Sequence, residues 1–388
     1  MRIESDGHSR GNPRLYELIE HAPKTGKSPT VWAWPELIDY LKVAGQPVAG
    51  PWPPHQQPRP DPEEESLPVA VPDPESKPLG QLESPATPGG SMYPSRFRYE
   101  APRSLAEAIG MLHDGGDDAK VLAGGQSLVP LMKLRFAAPQ LLVDINNVPG
   151  LDYHRADPDG TLRIGALCRH ADLERSDLLK ASQPTMASAA PLIADPIVRN
   201  RGTLVGSLCH ADPQGDWASV VTALGGSVIA QGANGRRAIP VAGFVTGPFE
   251  NTLEPDEIAV EAVIPPAQGT RSGGYLKLER RVGDFATVGV AVALETSGGT
   301  VRRAGIALTG VGGSTIAATA AADALAGGPL TADRIGQAAG LAAEAAQPRT
   351  DHRGSAEYKR HMVRTFVTRI LNRTDAAPDA EDSAERSA

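Results

Sequence analysis

The chain reads as an α+β protein, and three observations predict that class. Helix and strand alternate from Pro102 to Gly165, as in a small α/β unit. Two glycine-centred segments follow one another, AGGQSLVPLMKLR (Ala123 to Arg135) and RNRGTLVGSLCHADPQGD (Arg199 to Asp216). From Tyr275 onward, three strand candidates precede three helix candidates, the block order of a separate α+β domain.

The first 90 residues stand apart from this plan. Twelve prolines lie between Pro51 and Gly90, around the acidic run Asp61 to Glu65, and proline removes amide donors and fixes φ. Residues 1–91 are therefore expected to be an extension, largely disordered, with one short helix at Val31 to Gly45. The composition changes at Ser91–Met92, which predicts a functional start close to Met92.

Beyond it, an extended stretch at Tyr93 to Tyr99 leads to a helix opened by Pro102 and Ser104, with Leu105, Ala108, Ile109 and Leu112 as its apolar stripe. Lys120 to Ala123 is a strand running into the Gly124–Gly125 turn. Leu141 to Ile145 is a second strand, ended by Asn146–Asn147, and Thr161 to Gly165 a third. Arg169 to Lys180, Ala187 to Ala190 and Ala218 to Ala223 read as helical. Ser227 to Ala230 and Ile258 to Ile264 read as strands. In the last part Tyr275 to Glu279, Ala286 to Leu294 and Val301 to Leu308 are strands, and Ala317 to Ala326, Ala332 to Ala346 and Ser355 to Leu371 are helices. The polar tail after Thr374 is expected to fray.

Composition narrows the chemistry. The 388 residues allow two or three domains. A net charge of -8 gives no positive field for nucleic acid. Two cysteines, Cys168 and Cys209, cannot supply a four-cysteine metal site or an iron–sulfur cluster. No apolar run approaches membrane length, and a reducing, cytoplasmic location is expected.

Glycines let backbone approach a ligand closely and expose amide donors. In the first segment the amides of Gly125, Gln126, Ser127 and Leu128 and the Ser127 hydroxyl can converge on a pyrophosphate; the same residues also suit a plain tight turn. In the second, Gly202, Thr203, Gly206 and Ser207 offer a similar cradle. Asp212 and Asp216 can accept from sugar hydroxyls, or Asp212–Pro213 can open a turn and cap a helix. Arg199 and Arg201 can balance phosphate charge or form structural ion pairs. Neither segment is GxGxxG or a P-loop. The spacings around Cys168, His170, Cys209 and His210 are not chelating, and on a strand Cys209 and His210 would face opposite sides. No catalytic or metal residue is identified.

KVLAGGQSLVPLMKLR, LVDINNVPGL, RNRGTLVGSLCHADPQGD and KLERRVGDFATVGVAVAL resemble the FAD-binding medium subunit of the molybdenum hydroxylases, which include aerobic carbon monoxide dehydrogenase and xanthine dehydrogenase-like enzymes. The likeness runs from Tyr93 to Arg373. It implies a two-subdomain FAD-binding fold of the PCMH, vanillyl-alcohol-oxidase-like type (92–148 and 149–268), a C-terminal α+β domain of the CO dehydrogenase flavoprotein type (269–373), and a tail (374–388). It implies that FAD is held by Lys120, by the loop Ala123, Gly124, Gly125, Gln126, Ser127 and Leu128, and by Asp144–Ile145. A second loop contributes Thr203, Val205, Gly206 and Ser207, with His210, Asp212, Asp216 and Lys277 nearby. Arg281 and Asp284 match a stretch close to the flavin edge.

The resemblance also implies partners: a large molybdenum–pyranopterin subunit and a small subunit with two 2Fe–2S clusters, from which electrons pass to FAD and on to NAD, oxygen or another acceptor. The extra cysteine-rich insertion of some relatives is missing. Where the family pattern has two adjacent glycines, this chain has Val205–Gly206. A valine at positive φ there would crowd the pyrophosphate, whereas one pointing into the core would not. A scaffold that has lost FAD, and a stand-alone flavin oxidoreductase, are the alternative readings.

Overall fold

The computed structural model describes Tyr93–Asp375; the Pro-rich extension with its expected helix, and the tail beyond Asp375, lie outside the described residues. All described elements belong to the unit Tyr93–Ala388.

The first layer is a three-stranded parallel sheet, order β1 (Arg98–Glu100), β3 (Leu141–Asp144), β2 (Ala119–Leu122). The central strand reads Leu-Leu-Val-Asp and its three apolar residues are buried, as a strand covered on both faces requires. Helix α1 (Leu105–Gly115) covers the sheet with Ala108, Ile109 and Leu112, and Ser104 caps it by accepting from the Glu107 amide at 3.2 Å. After β2 the chain turns through the first glycine segment into the short helix α2 (Leu128–Lys133).

The second layer is a five-stranded antiparallel sheet, order β4 (His154–Ala156), β5 (Leu162–Gly165), β10 (Ile258–Ile264), β6 (Ser227–Gly232), β7 (Gly235–Pro240). The single acidic residue of central strand β10, Glu261, is buried but accepts from Tyr153 (2.7 Å) and Arg163 (3.0 Å). The helix expected over Arg169 to Lys180 is two helices, α3 (His170–Arg175) and α4 (Asp177–Ser182). Ser176 breaks it: its backbone is extended, and its hydroxyl accepts from the Leu179 amide at 3.2 Å. Helices α5 (Pro184–Ala189), α6 (Pro196–Arg199), α7 (Leu204–His210) and α8 (Asp216–Ala223) complete the layer. Trp217 of α8 is fully buried and donates from its indole N–H to Nδ1 of His170 at 3.0 Å.

The third layer is a four-stranded antiparallel sheet, β11 (Thr270–Leu278), β12 (Val288–Ser297), β13 (Thr300–Thr309) and β14 (Ile316–Ala317). On it pack helices Thr319–Asp323, Ala332–Ala345 and Ala356–Asp375. The first is shorter than the sequence pattern predicts, because an alanine-rich run satisfies helical periodicity without marking an end. The middle helix buries Ala338, Ala339, Ala342 and Ala343, small residues that let the last helix lie close with Val363, Phe366, Val367 and Ile370. The sheet's other face meets α5 and α8: Thr185 donates to the Val292 carbonyl at 2.8 Å, and Gly305 packs on the Ala223 carbonyl, where any Cβ would collide.

Burial, with the charges of Arg199 and Arg169, pushes the His170 imidazole from its usual 6.5 down to about 3, so it is neutral when folded. A histidine depressed by folding binds its proton mainly in the unfolded chain. Its contribution is complete above pH 6.5 and is lost as pH falls from there toward 3. The variant H170N keeps an acceptor near Nδ1 but has no titrating ring. Its urea stability is expected to fall less steeply than wild type between about pH 6.5 and pH 5, by up to about 1.4 kcal/mol per pH unit.

Candidate functional site

Strand β2 delivers the chain to Gly124, which is buried, and Gly125, whose φ of 74° only glycine adopts freely. The Gly125 carbonyl accepts from Val129 (3.0 Å) and the Ser127 carbonyl from Leu131 (3.2 Å), so these two oxygens of the loop are committed to α2. Its nitrogens are not. Among the described residues, the amides of Gly125, Gln126, Ser127 and Leu128 donate to no protein acceptor. These residues are partly exposed, and the Gln126 side chain reaches only the Gly124 carbonyl, at 3.5 Å. A run of unmatched amides in a glycine turn is a concavity built for anionic oxygens.

The second segment is organised differently from the expected cradle. Thr203 is the N-cap of α7, and its hydroxyl accepts from the Gly206 amide at 3.1 Å. The Ser207 amide donates to the Thr203 carbonyl at 3.0 Å. The amides of Gly206 and Ser207 are therefore taken up by the helix start; the Ser207 hydroxyl is not. Val205 is an ordinary helical residue with its side chain in the core, 2 % exposed, and is not among the residues at positive φ. The crowding that a valine next to Gly206 could have caused does not arise. Cys209 and His210 lie on this helix and not on a strand.

What joins the two segments is a missing side chain. A Cβ on Gly124 would collide with the Arg201 carbonyl and approach the Gly202 Cα to 2.8 Å. Backbone therefore lies directly on backbone. Gly202 is pinned in turn by the His170 ring, whose Cδ2 would sit 2.8 Å from an added Cβ. Arg169 ties the junction together: it donates to the Arg201 carbonyl (2.8 Å) and to Asn146 Oδ1 (2.6 Å). The Asn146 amide donates to the Ala123 carbonyl at 2.8 Å. Asp144 accepts from the Asn146 backbone (2.9 Å) and from Tyr99 (2.6 Å). The hydrogen bond to Asp144 is the main reason the Tyr99 phenol is held above its usual value.

The remaining expected residues fall into different settings. Ile145 is in the core, and Lys120 is exposed on β2. Asp212 accepts from the Gln214 amide (2.8 Å) and lies 3.9 Å from His210, which packs against Phe249 with ring centroids 5.1 Å apart. Burial raises the Asp212 carboxyl and lowers the His210 imidazole. Asp216 is buried, with Oδ1 accepting from Tyr275 (2.6 Å) and Oδ2 from Lys277 (3.1 Å). Both its oxygens have partners within the protein. Lys277 also donates to the Leu192 carbonyl (3.0 Å) and faces Glu279 at 3.5 Å. The thiols of Cys168 and Cys209 are each raised to about 12 by burial, and no metal-holding cluster occurs among the described residues. Arg169 and Asn146 are absent from the sequence-derived set, because one reads as a helix start and the other as a strand stop.

Two families match this layout. The FAD binding domain in molybdopterin dehydrogenase matches residues 95–267, and the CO dehydrogenase flavoprotein C-terminal domain matches residues 274–374. The carbon monoxide dehydrogenase medium chain of Hydrogenophaga pseudoflava is 43% identical over 282 residues, covering 72% of this chain and 98% of that one. The chain belongs to the FAD-binding medium-subunit family of the molybdenum hydroxylases. The medium-subunit fold, an FAD-binding domain of PCMH-like type followed by the C-terminal α+β domain, accounts for all three layers. Another relative is the 6-hydroxypseudooxynicotine dehydrogenase complex subunit alpha of Paenarthrobacter nicotinovorans, 40% identical with 72% of this chain and 95% of that one covered. Among solved structures, carbon monoxide dehydrogenase from Hydrogenophaga pseudoflava has a TM-score of 0.69 at 43% identity, covering 72% of this chain and 98% of that one. Quinoline 2-oxidoreductase from Pseudomonas putida 86 has a TM-score of 0.67 at 32% identity, covering 73% and 98%.

Two substitutions separate the roles of the segments. Gly124→Ala forces a methyl between the loops at a cost of about 1–3 kcal/mol, and FAD binding measured by fluorescence titration is expected to weaken with it. Val205→Gly removes a buried side chain and places glycine inside a helix. It is expected to lower urea stability by about 2–3 kcal/mol without raising FAD occupancy.

Proposed function

We propose that this chain is the FAD-carrying electron-transfer subunit of a molybdenum hydroxylase complex. The observation that carries the proposal is the set of unmatched amides at Gly125 to Leu128, set on a backbone junction with the second glycine segment. Those amides and the Ser127 hydroxyl would hold the FAD pyrophosphate, and the junction through Arg169 and Asn146 would keep both sides of the site in register. The residues present fit the group: there are donors without acceptors, a glycine close approach, and no competing carboxylate bonded to the loop amides. When bound, FAD would supply the one- and two-electron chemistry that no side chain here offers.

In this reading electrons arrive from 2Fe–2S clusters of a small partner and leave to NAD, oxygen or another acceptor. A large molybdenum–pyranopterin partner handles the substrate. The chain's two cysteines fit that division, since two thiols cannot hold such clusters. The relatives fit it too, because their names span carbon monoxide, glyceraldehyde, nicotine and caffeine substrates on one type of subunit. The substrate is then set outside this chain. Among the described residues no helix is long and apolar enough to cross a membrane. Of the alternatives, a scaffold that has lost FAD rested on crowding by Val205, and the helical, core-facing placement of that residue favours the FAD-carrying reading.

The test is direct. The chain, alone or assembled with its partners, is expected to bind one FAD, read by the flavin absorbance that survives gel filtration. Protein that stays colourless after incubation with FAD, in the complex as well as alone, would refute the proposal.

A further inference from the structure

The segment that supports Gly124 from below is itself held from the C-terminal domain. The turn Arg280–Phe285 joins β11 to β12, and its Gly283, at φ 84°, lies against residues 194–195; a Cβ there would stand 2.8 Å from the Ala194 carbonyl and 3.0 Å from its carbon. Ala194 has the left-handed φ of 45°, a strained setting for alanine that its surroundings must maintain. From Ala194 the chain runs through α6 to Arg201 and Gly202, the backbone on which Gly124 rests.

One side chain fixes the far side of this turn. Arg353, 6 % exposed, donates to the Phe285 carbonyl at 3.1 Å and pairs with Asp284 at 3.6 Å. Asp284 folds the turn onto itself: its carboxylate accepts from the Phe285 amide (2.7 Å), and its own amide donates to the Arg281 carbonyl (3.0 Å). Arg353 is placed by a second lock. Its amide donates to Asp351 Oδ1 (2.8 Å), while Asp351 Oδ2 accepts from Lys359 at 2.6 Å. Lys359 is buried and also donates to the Arg349 carbonyl at 3.0 Å. Three charged residues from one short loop and the last helix are thus spent on gripping a turn whose tip, Val282, is 95% exposed.

We propose that Arg353 is a positioning residue for the flavin site: it clamps the Arg280–Phe285 turn against Ala194, and so holds the segment Ala194–Gly202 under the first glycine loop. The inference rests on the flavin reading above. It assigns to the C-terminal domain a role in cofactor retention, through a side chain that bonds to Phe285 and Asp284 and whose charge also acts on the Asp212 carboxyl of the second glycine segment.

The experiment compares wild type, R353Q and R353K as the full chain. Arg280 and Arg281 are exposed and offer trypsin a site in the turn itself. Loss of a buried charged hydrogen bond is worth about tenfold or more in the local opening equilibrium, so R353Q should be cut there about tenfold faster than wild type. FAD should dissociate from R353Q faster by a similar factor, with the melting temperature of the FAD-free chain little changed. R353K keeps a charge beside Asp284 and should recover part of both effects. Unchanged cleavage in R353Q overturns the clamp, and so does faster cleavage with unaltered FAD dissociation. A fall in melting temperature that accounts for both changes, with no recovery in R353K, overturns it as well. Failure of the flavin reading shows separately, as wild-type protein that binds no FAD.

Discussion

The close contact of Gly124 with the Arg201–Gly202 backbone is the constraint on which the rest of the architecture depends. At this one point backbone of the parallel three-stranded layer lies directly on backbone of the second layer, while elsewhere the two share one apolar core. Everything around it serves to hold that geometry. Arg169 and Asn146 bridge the two segments with charge-assisted and amide hydrogen bonds, and His170 fills the space beneath Gly202 while tying Trp217 into the core. A charge-assisted bond of this kind is roughly twice as strong as a neutral one, so one arginine adds a specific lock to the apolar core the two layers share.

The two glycine segments turn out to be chemically unequal. The first ends its strand in a turn whose Gly125 and Ser127 carbonyls are used and whose amides are not. The second is a capped helix start, with Thr203 meeting the need of Gly206. It contributes the Arg201–Gly202 backbone on which Gly124 rests and the start of a helix. Asp216 and Lys277 likewise belong to a buried network with Tyr275 that fastens α8 to the C-terminal sheet. Burial raises the Asp216 carboxyl and the Tyr275 phenol, as expected where solvent is removed from acidic groups.

Much of this is legible in the sequence. The apolar run Leu141–Val143 ended by Asp144, the Ser104 cap and the blocks of strands and helices each specify their element locally. The family was legible because several motifs stand in order along one chain. What the sequence hides is anything decided by a contact across layers. Nothing around Val205 says whether its side chain faces phosphate or core, since Gly206 next to it suits either a ligand turn or the third residue of a capped helix. Arg169 and Asn146 looked like punctuation because their partners are 23 and 32 residues away. The break at Ser176 was hidden by an apolar period that continues through it.

If the unmatched amides of the first loop are the phosphate donors, they must respond to FAD, while the Gly206 and Ser207 amides, already held by Thr203, must not. Hydrogen exchange resolved to single amides, with and without FAD, tests it most directly. Gly125, Gln126, Ser127 and Leu128 are predicted to exchange fast in the FAD-free chain and to become strongly protected on FAD binding, whereas Gly206 and Ser207 start protected and change little. FAD binding that leaves the first loop's exchange unaltered, or that protects only the second segment, would contradict the account.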